Sequence, residues 1–176
     1  INMIELMPIS SMLMDRGWGY AIDYIFAIET LYGGRHEFLN LVKEAHKRGI
    51  GIIVDVVYNH FGPDESLDLW QFDGWHQDDK GGIYFYNDWR AETPWGTTRP
   101  DYGREEVRQY ILDNVTMWLN DCHVDGLRFD STIFIRNVQG HNNDPGTDLP
   151  EAWQMLQQIN TIAKKIAKQA SKVSFL

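Results

Sequence analysis

Two short strings constrain this chain more than anything else in it: Asp55-Val-Val-Tyr-Asn59-His60, and Gly126-Leu-Arg128-Phe-Asp130. Each is a β-branched or apolar run that ends in polar and ionisable side chains. A parallel β/α barrel presents its chemistry in that way, on residues at the carboxyl ends of its strands. Arg128 and Asp130 are two residues apart, so in a strand both project from one face. The pattern predicts buried parallel strands whose tips meet at a common site.

The rest of the chain alternates in the same sense. Ile1 to Ile9 reads as a buried strand with Pro8 near its exit, and Arg35 to Arg48 as a helix ending before Gly49. In that helix Phe38, Leu39, Leu41, Val42 and Ala45 form the apolar face. Ile50 to Val57 is almost wholly apolar, as befits a strand covered on both sides. Arg104 to Asp121 is a second helix, with Val107, Tyr110, Ile111, Val115, Trp118 and Leu119 inward, and Val124 to Phe129 the next strand. Asp148 and Glu151 form a capping box that opens a third helix to about Ala170, and Val173 begins a last strand.

Between Phe61 and about Gly103 the periodicity stops. Gly, Pro, Asp and scattered aromatic residues from Trp70 through Trp95 replace it, which predicts a long excursion from a strand tip over the active face. The aromatic residues suit either a ligand-stacking rim or the small core of the excursion itself.

Strand, helix, strand in repetition is parallel α/β architecture, which comes as an open doubly wound sheet or as a barrel. His60 and Asp130 both fall just past strand ends, and no GxGxxG phosphate loop is present, since Gly33-Gly34 and Gly81-Gly82 read as turns. The barrel is the expectation. A whole barrel needs about 250 residues, and this chain has 176. It therefore reads as part of a longer enzyme, with residues 1–60 holding two strands and the helix between them, 61–103 the insert, and 104–176 the next strand, its flanking helices and the start of another.

Composition narrows the partners. A net charge of −9 opposes binding to nucleic acid or to an anionic membrane, and suits a neutral ligand. One cysteine, Cys122, permits no intrachain disulfide, so a cytoplasmic setting is the default. His36, His46, His76, His123 and His141 show no metal-ligand spacing, and no metal or cofactor is expected.

Five strings in order resemble the α-amylase family of retaining α-glucan hydrolases and transferases: Ile4-Glu-Leu-Met-Pro8, Trp18-Gly-Tyr20, Tyr32-Gly-Gly-Arg35, Asp55 to His60 and Asp125 to Asp130. The resemblance implies part of a (β/α)8 barrel, about strands two to five, with residues 61–103 as the insert after strand three. It implies an α-glucan polysaccharide or oligosaccharide as ligand and the rest of its own barrel as structural partner. Asp130 would be the nucleophile, with Arg128 keeping it charged. Tyr20 would stack on the reacting sugar, His60 would bond its hydroxyls and Asp55 would position neighbours. The position of Asn59 is a calcium ligand in many α-amylases, though relatives with other activities lack the ion. The family's acid/base glutamate ends strand five and would lie beyond Leu176, so residues 1–176 alone are expected to be inactive.

Each role has a simpler alternative. Asp55 suits a loop anchor, Arg128 with Asp130 a structural ion pair, and His60 a satisfied loop histidine. Glu105, Glu106 and Glu151 open helices, where carboxylates meet the macrodipole favourably. Endo-acting amylases place Lys-His three and four residues after the nucleophile; here those positions are Ile133 and Phe134. That departure, with Tyr58 to Pro63 and Thr93-Pro-Trp-Gly96, resembles 1,4-α-glucan branching enzymes and maltooligosyl-trehalose trehalohydrolases, from whose common Ala Ser131 departs. Branching is the favoured expectation. A non-catalytic amylase-like binding domain is the reading from a different class.

Overall fold

A computed structural model describes residues 1–13, 17–63 and 66–170. Three parallel strands form its centre: β1 (Met3–Leu6), β4 (Gly51–Val56) and β5 (Gly126–Phe129), in the spatial order β1-β4-β5. The register sets Glu5 beside Ile53, Ile53 beside Gly126, and Asp55 beside Arg128. Among the described residues spatial order follows chain order without reversal, so the sheet is singly wound there, as in a barrel wall, with no switch point of a doubly wound sheet.

The two faces of the sheet differ accordingly. Ile52, Val54, Val56 and Leu127 point to one side and are almost fully buried, beneath helices α1 (Gly34–His46), α2 (Glu105–Thr116) and α4 (Pro150–Gln169). Glu5, Ile53, Asp55 and Arg128 point to the other side. There Glu5 is exposed and Ile53 only half-buried. The expected burial of β1 is corrected: Ile1 and Ile4 are exposed, because this strand has a sheet neighbour on one side only among the described residues.

Helix α1 buries Phe38, Val42 and Ala45 and leaves Leu41 exposed, so its apolar face is narrower than the sequence suggested. Helix α2 widens into a π-helical turn over Met117–Asp121, which carries the fully buried Trp118 edge-on to Phe38 at 5.7 Å between ring centroids. The Asp148 and Glu151 capping box does not form. Leu149 is the residue before α4 and makes no side-chain cap, while Pro150 opens the helix. Asp148 instead accepts from Asn137 Nδ2 at 2.8 Å and Glu151 from the Tyr86 hydroxyl at 2.6 Å. Partners distant in the chain have taken both carboxylates.

Two elements were not foreseen. An antiparallel hairpin of β2 (Ser10–Met12) and β3 (Ile22–Ile28) follows β1, and a short helix, α3 (Thr132–Arg136), begins just after β5. Residues 61–103 are not structureless either. They hold short 3-10 turns at Gly82–Tyr84 and Trp89–Ala91 and bury Phe85, Tyr86, Arg99 and Tyr102. The expected strand from Val173 lies outside the described residues.

Candidate active site

The tips of β4 and β5 bring four of the five predicted site residues together, and the loop before β3 supplies the fifth. Asp55 and Arg128 are register partners, so their side chains leave the sheet on the same face; Asp130, two residues beyond Arg128, follows it. Arg128 Nη1 donates to Asp55 Oδ1 and Oδ2, both at 2.9 Å, and to Asp130 Oδ1 at 2.7 Å. One guanidinium thus bridges two carboxyl groups. The Tyr20 hydroxyl donates to Asp55 Oδ2 at 2.7 Å.

Burial divides these groups. The Asp55 side chain is 3% exposed, that of Asp130 14% and that of Arg128 40%. Burial pushes the Asp55 carboxyl up, against the opposing pull of the Tyr20 and Arg128 hydrogen bonds. Tyr20 is pushed up to about 12 by burial and by the neighbouring carboxylate. Arg128 is driven further toward its charged form, chiefly by its bonds to Asp55. Both Asp55 oxygens are occupied by donors. Of the two carboxyl groups Asp55 lies the deeper and Asp130 the nearer to solvent.

Asn59 and His60 complete the cluster. Asn59 is fully buried, and its Nδ2 donates to the Asp130 carbonyl at 2.9 Å and to Asp130 Oδ2 at 3.0 Å. Its Oδ1 meets His60 Nδ1. The His60 ring lies against the Trp95 indole, with centroids 4.7 Å apart and planes 20° from parallel. Trp95 in turn meets Phe134 edge-on at 5.2 Å. Burial depresses His60 to about 4, with the Asp130 charge opposing.

Beside this cluster opens a cavity of about 310 Å³, lined among others by Trp18, Tyr20, His60, Phe61, Pro63 and Trp95. Its wall is largely aromatic, and Tyr20 and His60 join it to the cluster through Asp55 and Asn59. Trp95 thus belongs to the site, whereas Trp70 packs toward Phe85 in the core of the excursion. Asn59 was legible only as a ligand position borrowed from relatives. Its amide is engaged here by protein on both ends, and among the described residues no group of three or more His, Cys, Asp or Glu is placed to hold a metal ion. The side-chain oxygen of Asn59 is thus taken up by His60.

A parallel sheet with ionisable side chains gathered at its strand tips places the fold in the class of the β/α barrels. The family model "Alpha amylase, catalytic domain" matches residues 1–71 and 63–174, and the chain belongs to that family. It is similar to a malto-oligosyltrehalose trehalohydrolase of Saccharolobus solfataricus, with 42% identity over 133 residues, which is 74% of this chain and 22% of that protein. It is also similar to a 1,4-alpha-glucan branching enzyme of a Synechococcus strain, with 36% identity over 170 residues, 92% of this chain and 21% of that protein. Among solved structures, a putative alpha amylase from Salmonella typhimurium superposes with a TM-score of 0.65 at 30% identity, covering 90% of this chain and 24% of that one. The chain therefore spans about a fifth of the two curated relatives, and its sheet is part of a (β/α)8 barrel.

Proposed function

We propose that this segment carries the nucleophile half of an α-glucan-active site, that residues 61–103 are the insert after the third barrel strand, and that the full-length polypeptide is a 1,4-α-glucan branching enzyme. The observation that carries the reading is the single Arg128 nitrogen shared by buried Asp55 and the less buried Asp130. Tyr20 holds Asp55, Asp55 holds the guanidinium, and the guanidinium with Asn59 holds Asp130.

In the proposed reaction an oxygen of Asp130 attacks C1 of a glucosyl unit in an α-1,4 chain. The C1–O4 bond breaks, O4 takes a proton from a carboxylic acid elsewhere in the barrel, and a β-glucosyl ester of Asp130 forms. A 6-hydroxyl of an acceptor glucan then attacks C1 and yields its proton to the same carboxylate. The ester bond breaks and Asp130 is restored. Asp55 is not the acid, because its oxygens accept from Tyr20 and Arg128.

Branching is favoured over endo-hydrolysis because Ile133 and Phe134 follow the nucleophile where a polar pair would grip downstream glucose. A trehalohydrolase is the second reading, supported by the 42% identity to one such enzyme. The test is the full-length polypeptide and its Asp130→Ala variant incubated with amylose, scored by proton NMR. New α-1,6 signals without a matching rise in reducing ends, lost in the variant, are expected. Reducing ends without branches favour a hydrolase, and release of trehalose from maltooligosyl-trehalose the second reading. No change in either chain selects a non-catalytic binding domain.

A further inference from the structure

The amide of Asn59 has no freedom to turn over. Its nitrogen faces a backbone carbonyl and a carboxylate oxygen of Asp130, and both of these only accept. The side-chain oxygen must then face the other way, where it meets Nδ1 of His60. A carboxamide oxygen has no proton to give, so the proton in that contact belongs to Nδ1. A neutral imidazole carries one ring proton, and with Nδ1 protonated Nε2 is left with a lone pair. The flat contact with Trp95 fixes the plane in which that lone pair lies, and His60 lines the cavity.

We propose that Asn59 is a positioning residue that holds His60 as the Nδ1–H tautomer, so that Nε2 accepts a hydrogen bond from a hydroxyl of the bound sugar. The sugar half of this inference rests on the function proposed above; the tautomer half does not. One buried amide then serves two groups. It aims the Asp130 carboxylate through Nδ2 and sets the polarity of His60 through Oδ1, so the nucleophile and the hydroxyl acceptor keep a constant relation.

The test uses the full-length polypeptide with ¹⁵N-labelled histidine rings. His60 is assigned by its loss in His60→Gln, and its two ring nitrogens are read from long-range proton–nitrogen spectra. A protonated Nδ1 with a bare Nε2 is expected in the unliganded protein, with a shift of the Nε2 resonance on adding maltohexaose. Asn59→Ala should move the proton toward Nε2 and raise KM on the order of threefold to tenfold, the scale of one neutral hydrogen bond. Asn59→Asp retains an acceptor for Nδ1–H and should preserve the tautomer while lowering kcat, because it loses both donors to Asp130. A wild-type spectrum with the proton on Nε2, or an unchanged tautomer in Asn59→Ala, overturns the proposal. The wild-type spectrum decides the tautomer even where a variant fails to fold. The expected tautomer with an unmoved Nε2 on adding maltohexaose overturns the sugar half alone, and the amylose assay judges the branching reading separately.

Discussion

Arg128 bonds both carboxyl groups of the site, so its removal strands each of them differently. Asp55, at 3% side-chain exposure, would keep a buried charge with only Tyr20 as donor, whereas Asp130 reaches water. Breaking a fully buried pair costs about 3–5 kcal/mol; Arg128 is 40% exposed, which screens it. Arg128→Ala is expected to lose about 2–3 kcal/mol in urea unfolding, and Arg128→Ala/Asp55→Asn to regain part of it. His60 gives a second prediction. Its folded pKa of about 4 lies below the unfolded 6.5, so the unfolded chain binds the proton more readily and stability falls as pH drops from about 6.5 to about 4. The full loss is on the order of 3 kcal/mol. Denaturation curves for wild type and His60→Gln across that window should converge toward low pH. The Arg128-x-Asp130 pair and His60 were legible because they sit at strand tips, where a period of two decides which side chains share a face. The Tyr20–Asp55 bond was not, since it joins positions 35 residues apart through a loop whose path no local pattern fixes.

At the scale of elements, the loop carrying Tyr20 turns on Gly19. Its φ is +89°, and a Cβ there would lie 2.4 Å from the Pro8 carbonyl oxygen. Both the left-handed backbone and the contact exclude a side chain. Gly19→Ala is expected to lower the melting temperature and, by displacing the loop, to uncouple Tyr20 from Asp55. The second effect is checked by following the Tyr20 hydroxyl titration, which should fall from about 12 toward the ordinary tyrosine range. The excursion 61–103 is tied beneath the site by Thr98, whose hydroxyl donates to the Phe61 carbonyl at 2.8 Å and accepts from the Phe61 N–H at 3.2 Å. Thr98→Val removes both bonds in a buried setting and should cost about 1–3 kcal/mol, measured by urea unfolding. The sequence hid the β2–β3 hairpin for a physical reason. Ile22, Ile25 and Ile28 are the buried positions of β3, a spacing of three that register shifts against β2 impose on a strand of period two. In the same way Asp148 and Glu151 looked like caps because their partners Asn137 and Tyr86 are remote in sequence.

For the whole molecule, the consequence of a sheet of three strands among the described residues is two open flanks. Among the described residues β1 and β5 each pair on one side only, and a groove of about 560 Å³ runs along β5 between Arg128, Phe129 and the Trp153 and Leu156 side of α4. Unpaired strand edges recruit other strands. Residues 1–176 expressed alone are expected to self-associate with rising concentration in sedimentation velocity, and co-expression with the remaining barrel strands of the full-length polypeptide should suppress it. The barrel class itself was readable from strand-helix alternation and strand-tip chemistry. The openness of β1 was not, because an apolar run reads as buried whether or not its neighbour is present.

The bridge from Arg128 to Asp55 spans 73 positions of the chain, and that separation has a temporal meaning. A ribosome adding about 5–20 residues per second releases Asp55 several seconds before its counter-ion exists. During that interval β4 can pair with β1, but its tip carries an acid whose one donor is Tyr20 and which has no counter-ion, and burial of that tip must wait. The last third of the segment to be synthesised therefore governs when the site closes, and slowing translation between the two residues would lengthen the life of an open intermediate without altering the finished protein.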